Sequence, residues 1–351
     1  TVNPRCLNKP RPTSSRCTRS CFPATPLRHN QRLRRSPKRP TGRAIAKYKR
    51  ANHTISLVDV VNLVHPVPTQ ANAQALQALV ANETLAADTW ETNLSAGEDK
   101  ATTFTRLIEE NKLGALAMLR NLRGMEEAGV ARQTIRKGLA QVNSKWLTPL
   151  NFLAAQRNAP SFTADLEDLM ARSFATRKIK GTTILAVDVS GSMGSLTSQT
   201  SKFSRMDLAF ALTALAGYMF EDLILVFTAG NDYKRKGAHT RWHNSKGFSI
   251  FEDQRRINGQ LGGGGIFTHQ LCEWLKQENL AYLADRLVVI SDSQDIDMAY
   301  GKQVLPDTSL YKTSYIIDIS THTHGIKTGN WTAEINGWSD RLFHYIAELE
   351  K

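Results

Sequence analysis

One carboxylate and two hydroxyls fall within five residues, directly after an apolar run. Asp188, Ser190 and Ser192 follow residues 182–187, whose composition is typical of a buried β-strand. Carboxylate and hydroxyl oxygens are the ligands that a hard divalent cation such as Mg2+ prefers. Gly191 allows the backbone to turn tightly enough for both serines to face one point. The segment therefore predicts a metal site at the carboxyl end of a parallel strand, where open α/β sheets place their ligand crevices.

Two later segments carry further oxygen ligands toward the same edge of the predicted sheet. The apolar run 287–290 is followed closely by Asp292, so a second carboxylate is expected where that strand ends. Between the two strands, the four glycines 262–265 form a loop that delivers the hydroxyl of Thr268. Together the three segments strengthen the prediction of a cation site. The simpler alternative is that the serines cap the next helix and Asp188 closes a turn.

This order of segments resembles the metal-ion-dependent adhesion site of von Willebrand factor A domains, over roughly residues 179–351. The resemblance implies five metal-site residues: the direct ligands Ser190, Ser192 and Thr268, and, acting mainly through water or outer hydrogen bonds, Asp188 and Asp292. In that family the threonine usually follows the glycines immediately, whereas here residues 266–267 intervene. Thr268 is therefore the ligand that departs most from the family pattern.

Enzyme motifs that share parts of this pattern do not fit the residues present. A phosphoryl-transfer aspartate in a D-x-D-x-T motif needs a second carboxylate where this chain has Ser190. The glycine loop lacks the Lys-Ser/Thr pair of a phosphate-binding P-loop, and neither G-x-S-x-G nor H-E-x-x-H occurs. We therefore expect a binding surface, not an enzyme. An acidic side chain of a protein partner could fill an open coordination position on the metal.

The net charge of +13 is concentrated at one end of the 351-residue chain. Residues 1–50 contain 15 Lys and Arg and no Asp or Glu, which leaves 30 basic against 32 acidic residues in the remainder. Residues 1–42 are also proline-rich and are predicted to be a disordered tail. The tail could be a non-specific nucleic-acid clamp, a targeting segment or an unselected extension.

Cysteine usage and hydropathy predict the surroundings in which the protein works. The four cysteines form no C-x-x-C pair, which disfavours a disulfide framework or a zinc ribbon and favours a reducing cytoplasm. No stretch of about 18 apolar residues occurs, so no membrane span is expected.

The middle of the chain has helical spacing of its apolar residues and no strand pattern. Helices are predicted at residues 56–64, 71–81, 104–110, 113–127, 133–142, 150–155 and 164–177. Beyond residue 179, strands and helices alternate, which predicts a mostly parallel sheet covered on both faces. The predicted fold is an α-helical, HEAT-like repeat segment (43–178) followed by a Rossmann-like α/β domain of the von Willebrand factor A type (179–351).

Part of the helical segment resembles TROVE-domain proteins, the Ro autoantigen family. The resemblance rests on residues 114–125 with 128–130, and on 46–50 followed by 58–66. Members place a helical-repeat domain directly before an A domain, the order predicted here. The family has many helices upstream of the segment matching 46–66, where this chain has its proline-rich tail. Completion of the helical arc by a partner or by a homo-oligomer is therefore one expectation, and a minimal or truncated form is another.

The resemblance implies RNA binding without catalysis. Small structured noncoding RNAs (Y RNAs) would bind a basic outer face, and single-stranded 3′ ends of misfolded RNAs would enter the helical ring. Phosphates are contacted by Lys and Arg, and unpaired bases stack on aromatic or guanidinium groups. Candidate RNA-binding residues with these properties, or adjacent to them, are Lys47, Tyr48, Lys49, Arg50, Arg120, Asn121, Arg123, Arg132, Arg136 and Lys137. Ordinary solvated helix faces are the alternative explanation for this set.

Two functions follow as hypotheses. In the first, the chain is a noncoding-RNA-binding ribonucleoprotein component, active in RNA quality control, with a Mg2+-dependent A domain that docks partners. In the second, it is a metal-dependent protein-interaction module without specific RNA binding. RNA that copurifies with a chain lacking residues 1–42 would separate the two.

Overall fold

The computed structural model describes residues 45, 56–70, 72–81, 88–144, 147–174, 178–243, 247–261, 263–299, 302–320, 330–339 and 341–351. The predicted tail and the RNA-binding candidates Lys47, Tyr48, Lys49 and Arg50 lie outside these residues. Contacts divide the chain into two compact units, residues 1–87 and 88–351.

The described residues of the first unit include two short helices, α1 (Leu57–Val64) and α2 (Ala73–Val80). Helix α1 begins where the sequence predicted, because Ser56 and Asp59 form a reciprocal capping box. Leu76 and Leu79 of α2 form a small buried cluster with Ile45. Leu63 remains 82% exposed, so much of the apolar surface of α1 lies outside this cluster.

In its described part, the second unit begins with six helices. They are α3 (Trp90–Ser95), α4 (Lys100–Glu109), α5 (Ala115–Glu127), α6 (Arg132–Gln141), α7 (Pro149–Asn158) and α8 (Thr163–Phe174). Five of them confirm the predicted helices. Helix α3 was not predicted; it is capped by Thr89. Helix α4 begins earlier than expected because Asp99 caps it, and it ends near Asn111, which adopts a left-handed conformation (φ 51°).

A mostly parallel sheet follows, as predicted. Its strands are β1 (Ile179–Asp188), β2 (Phe220–Asn231), β3 (Lys236–Trp242), β4 (Arg286–Ser291), β7 (Thr313–Asp318) and β8 (Ala333–Asn336), with a separate hairpin of β5 (Met298–Ala299) and β6 (Lys302–Gln303). The strand order is β3-β2-β1-β4-β7-β8, and only β3 runs antiparallel to its neighbour among the described strands. This is the doubly wound order of nucleotide-binding α/β folds, which supports the Rossmann-like prediction.

Among the residues that the structure describes, four helices accompany the sheet: α9 (Arg205–Met219), α10 (Ser249–Leu261), α11 (Thr268–Gln277) and α12 (Leu342–Leu349). Helix α9 is buried along nearly its whole length, because it packs on β1 and also on α7 and α8. Phe210 of α9 stacks on Phe227 of β2, with ring centroids 5.3 Å apart. One hydrophobic cluster therefore runs from the helical segment into the sheet, and the change from helices to strands at residue 179 is not a break in packing.

The sequence pattern did not predict strands β3 and β8 or helix α10. Strand β3 has a mixed, half-exposed pattern, and β8 has only four residues at the opposite sheet edge. Edge strands of this kind lack the apolar run that marked β1 and β4. Within the described residues, no helix combines the length and the apolarity needed to span a membrane.

Candidate functional site

Asp188 lies at the carboxyl end of β1, fully buried, with a hydrogen bond to each carboxylate oxygen. The backbone N–H of Ser190 donates to Oδ1 at 2.8 Å, and the hydroxyl of Ser291 donates to Oδ2 at 2.7 Å. Ser291 ends β4, the neighbour of β1 in the sheet. The parallel pairing of these two strands is what brings the predicted segments together.

The electrostatics at this edge favour a positive charge. Burial raises the pKa of Asp188 to about 7, against the opposing hydrogen bonds from Ser291 and Ser190. The charge of Asp292 raises it further, so the two carboxylates are close enough to repel each other. A cation between or beside them would relieve both the burial of charge and the repulsion.

The two serines face each other, as the sequence predicted. The Oγ atoms of Ser190 and Ser192 are 3.2 Å apart in the turn that follows β1. The N–H of Gly191 donates to the carbonyl of Gly264 at 2.9 Å, so the glycine loop lies directly against this turn. A side chain at position 264 would meet the carbonyl oxygen of Gly230 at 1.6 Å, which explains why the loop needs a glycine there.

Asp292 has one satisfied and one unsatisfied oxygen. Its Oδ2 accepts a 2.6 Å hydrogen bond from Nη1 of Arg205, the first residue of α9. Its Oδ1 is buried and has no hydrogen-bond partner among the described residues. An orphaned carboxylate oxygen next to a second buried carboxylate fits a bound cation or a water molecule. Arg205 was not anticipated from the sequence, because no local pattern indicates that its side chain would bond to a carboxylate 87 residues away.

Thr268 is buried at the start of α11, and its Oγ1 donates a hydrogen bond to Asp295. Burial raises the pKa of Asp295 to about 6. Direct metal ligation by Thr268 therefore stays a prediction that requires this bond to be shared or broken. In the described part of the chain no three His, Cys, Asp or Glu side chains group closely enough to hold a metal. A cation here would depend on hydroxyls together with the two carboxylates.

Some of the described RNA-binding candidates form ion pairs or hydrogen bonds within the protein, and others do not. Three arginines are paired with carboxylates: Arg123 with Glu127 (3.3 Å), Arg132 with Glu126 (2.9 Å) and Arg136 with Asp165 (3.3 Å). The side-chain amide of Asn121 donates to the carbonyl of Ala117 in its own helix, at 2.8 Å. Arg120 and Lys137 are exposed, and the structure records no hydrogen-bond or ion-pair partner for either among the described residues.

Arg120 borders a cleft that the sequence did not reveal. The cleft has a volume of about 390 Å³. It is lined by α5, α7 and two loops of the sheet region, through Leu116, Leu119, Arg120, Thr148, Leu150, Asn151, Ala154, Ala155, Asn158, Phe203 and Trp338. Trp338 follows β8 and is 38% exposed. The cleft thus combines one unpaired guanidinium, two aromatic rings and two carboxamides.

Comparisons with known proteins find similarity over part of the chain. The solved structure titled "Crystal structure of Deinococcus radiodurans RO (RSR) protein" is similar to it at 16% sequence identity, covering 88% of this chain and 73% of that one, with a TM-score of 0.49. No curated protein sequence matches it. Residues 83–213, from just before α3 to within α9, match the family model described as the TROVE domain. This match supports the TROVE-domain resemblance over that part of the chain.

Proposed function

We propose that this protein binds single-stranded RNA, and that the cleft at Arg120 and Trp338 receives an unpaired base. TROVE-domain proteins are RNA-binding components of ribonucleoproteins, and the cleft lies partly within the matched region. The cleft's combination of an unpaired guanidinium, aromatic rings and carboxamides is the observation that carries the proposal.

Each group in the cleft has a role in recognising an unpaired nucleotide. The exposed face of Trp338 offers a stacking surface, worth about 1–3 kcal/mol per base in single-strand binding proteins. Arg120 supplies a charge for a phosphate or a plane for stacking. Asn151 and Asn158 each use one amide atom in a helix cap or a bond to their own helix. The other amide atom of each has no partner in the described part of the chain and is available to a base edge.

The experiment compares binding of a fluorescent oligoribonucleotide to the parent and to three variants, at near-physiological salt. Arg120→Gln and Trp338→Ala are expected to weaken binding of the single strand about tenfold each, from losses of roughly 1–2 kcal/mol. Arg106→Gln is the control, because Arg106 is an arginine of the neighbouring helix α4 that pairs with Asp88 and was not a candidate for RNA contact. Equal affinities for Arg120→Gln and Arg106→Gln would refute the assignment of the cleft.

More specifically, we propose noncoding-RNA binding of the Ro type, in which structured Y-RNA-like molecules and single-stranded 3′ ends are bound for RNA quality control. The TROVE match supports this proposal. A hairpin RNA with a single-stranded 3′ tail should bind more tightly than the same hairpin without the tail. Loss of the tail's advantage in Trp338→Ala would connect the 3′ end with the cleft.

We further propose that Asp188, Ser190, Ser192 and Asp292 hold Mg2+ or another hard divalent cation. The orphaned Oδ1 of Asp292 and the facing hydroxyls support this proposal. The cation would supply a fixed positive charge to which an acidic side chain of a protein partner can coordinate. Mg2+-dependent binding to a partner in the absence of any RNA binding would instead favour the interaction-module alternative.

A further inference from the structure

Arg205 occupies a position that is unfavourable for a cation unless a negative charge lies nearby. It is the first residue of α9, at the helix end where the backbone dipole is positive. Only 7% of its side chain is exposed, and its guanidinium is directed at Asp292, which is fully buried. Buried ions persist where they are paired, so the carboxylate explains the placement of the guanidinium.

The start of α9 holds Arg205 in this position from several directions. Its N–H donates to the carbonyl of Ser195 at 2.9 Å, which joins it to the loop after the serine turn. Ser204 and Asp207 form a capping box around it, with hydrogen bonds of 2.9 and 3.0 Å. These hydrogen bonds fix the backbone from which the Arg205 side chain extends, and the bond to Asp292 holds its guanidinium.

The charge balance at the sheet edge depends on this one residue. Two carboxyl groups, Asp188 and Asp292, lie at this edge, and the guanidinium of Arg205 is bound to one of them, Asp292. A divalent cation that approaches the open Oδ1 of Asp292 meets a guanidinium already bound to Oδ2 of the same carboxylate. Like charges this close, in a site shielded from water, repel strongly.

We propose that Arg205 is a tethered counter-cation of the metal site, which neutralises Asp292 in the cation-free protein and lowers the affinity of the site for a divalent cation. This inference rests on the metal site proposed above. Replacing Arg205 with a neutral residue should remove the repulsion. It should also leave Asp292 unpaired, so a bound cation should stabilise the fold more than it does in the parent.

The test measures Mg2+ affinity by calorimetry and Mg2+-dependent melting temperature in the full chain. Arg205→Gln is expected to bind Mg2+ at least about tenfold more tightly than the parent, a change of about 1.4 kcal/mol, and to show a larger rise in melting temperature. Lys202→Gln is the control, since it removes the same charge from an exposed residue three positions away. The proposal would be overturned if the Arg205→Gln variant bound Mg2+ no more tightly than the Lys202→Gln variant.

A second pair of variants keeps the test decisive if Arg205→Gln folds poorly. In Asp292→Asn, the guanidinium faces a site with one remaining carboxylate, so Mg2+ binding should be nearly lost. Adding Arg205→Gln to Asp292→Asn should restore measurable binding through Asp188, whereas equal affinities of the single and double variants would contradict the role of Arg205. Absence of Mg2+ binding in the parent and in every variant would instead refute the metal site itself.

Discussion

Arg157 on α7 forms an ion pair with Asp207 in the first turn of α9. The same guanidinium lies 5.7 Å from the ring centroid of Phe203, which lines the cleft. Hydrogen bonds from Arg157 and Ser204 keep the pKa of Asp207 below its ordinary value, although its burial acts in the opposite direction. One arginine of the helical segment therefore holds the short stretch that carries both a wall of the cleft and Arg205.

This arrangement predicts that Arg157 stabilises the start of α9. Arg157→Ala should lower the free energy of unfolding by about 1 kcal/mol, because the pair is only partly buried. Asp207→Ala should cost about 1 kcal/mol more, since it also removes the capping box. Chemical denaturation measures both, with the exposed pair Arg123–Glu127 as control. A loss in Arg157→Ala no greater than in Arg123→Ala would show that the contact contributes nothing specific.

The cation site predicts a metal-linked change in stability that depends on Asp188. In the parent, millimolar Mg2+ should raise the melting temperature, because a cation bound only by the folded state stabilises it. Asp188→Asn preserves the shape of the side chain and should abolish this rise. Asp222→Asn, at the opposite end of the neighbouring strand β2, should retain it. Equal rises in both variants would eliminate Asp188 from the site.

We expect opposite effects when alanine replaces Gly264 of the glycine loop and Gly259 of the preceding helix α10. Gly264→Ala should destabilise the fold by about 2 kcal/mol or more, because its new methyl group would overlap the carbonyl of Gly230. It should also weaken Mg2+ binding, since Gly264 contacts the serine turn through Gly191. Gly259→Ala lies within α10 with no atom near the added methyl, and should stabilise by roughly 0.5–1 kcal/mol. Thermal denaturation distinguishes the two, and a neutral Gly264→Ala would mean that the loop is not held against β2.

Glu350 predicts an acid-dependent loss of stability far from the cation site. Its burial acts to raise its pKa, but hydrogen bonds from Arg286 and Thr313 outweigh burial and the net pKa is lowered. Because the pKa of Glu350 is lower in the folded state, its ionised form stabilises the fold fully at pH values above its unfolded-state pKa of about 4.3. This stabilisation is lost as the pH falls through the folded-state pKa. Arg286 is 4% exposed, so Glu350→Gln leaves a buried charge poorly paired and should cost about 3 kcal/mol at pH 7.

The measurement for Glu350 is the difference in melting temperature between the parent and Glu350→Gln from pH 7 to pH 3. The difference should be constant above about pH 5 and shrink toward zero in acid, as the parent's carboxylate is protonated. Glu348→Gln removes a carboxylate that is 65% exposed and serves as control. A difference that does not change with pH would show that the ionised form of Glu350 is not what stabilises the fold.

Much of the fold followed from local sequence patterns. The apolar runs that became β1 and β4 are buried on both faces, so their composition alone marked them as strands. The helices of the middle segment had regular apolar spacing, some had capping residues such as Ser56 and Asp99, and most began within two residues of the predicted positions. Edge strand β3 and helix α10 lack such patterns. Most of their residues are at least partly exposed, so many polar side chains interrupt the apolar spacing.

The sequence by itself determined which oxygen-bearing side chains stand near strand ends, since the order of Asp188, the glycine loop and Asp292 is a property of the chain. The tertiary structure decided their partners. Arg205 reaches Asp292, and Thr268 bonds to Asp295, through contacts between segments far apart in the chain. The cleft at Arg120 and Trp338 likewise exists only because α5 and the loop after β8 meet in space. Local composition sets secondary structure through short-range sterics and burial, whereas charge pairing and cavities depend on packing between distant segments.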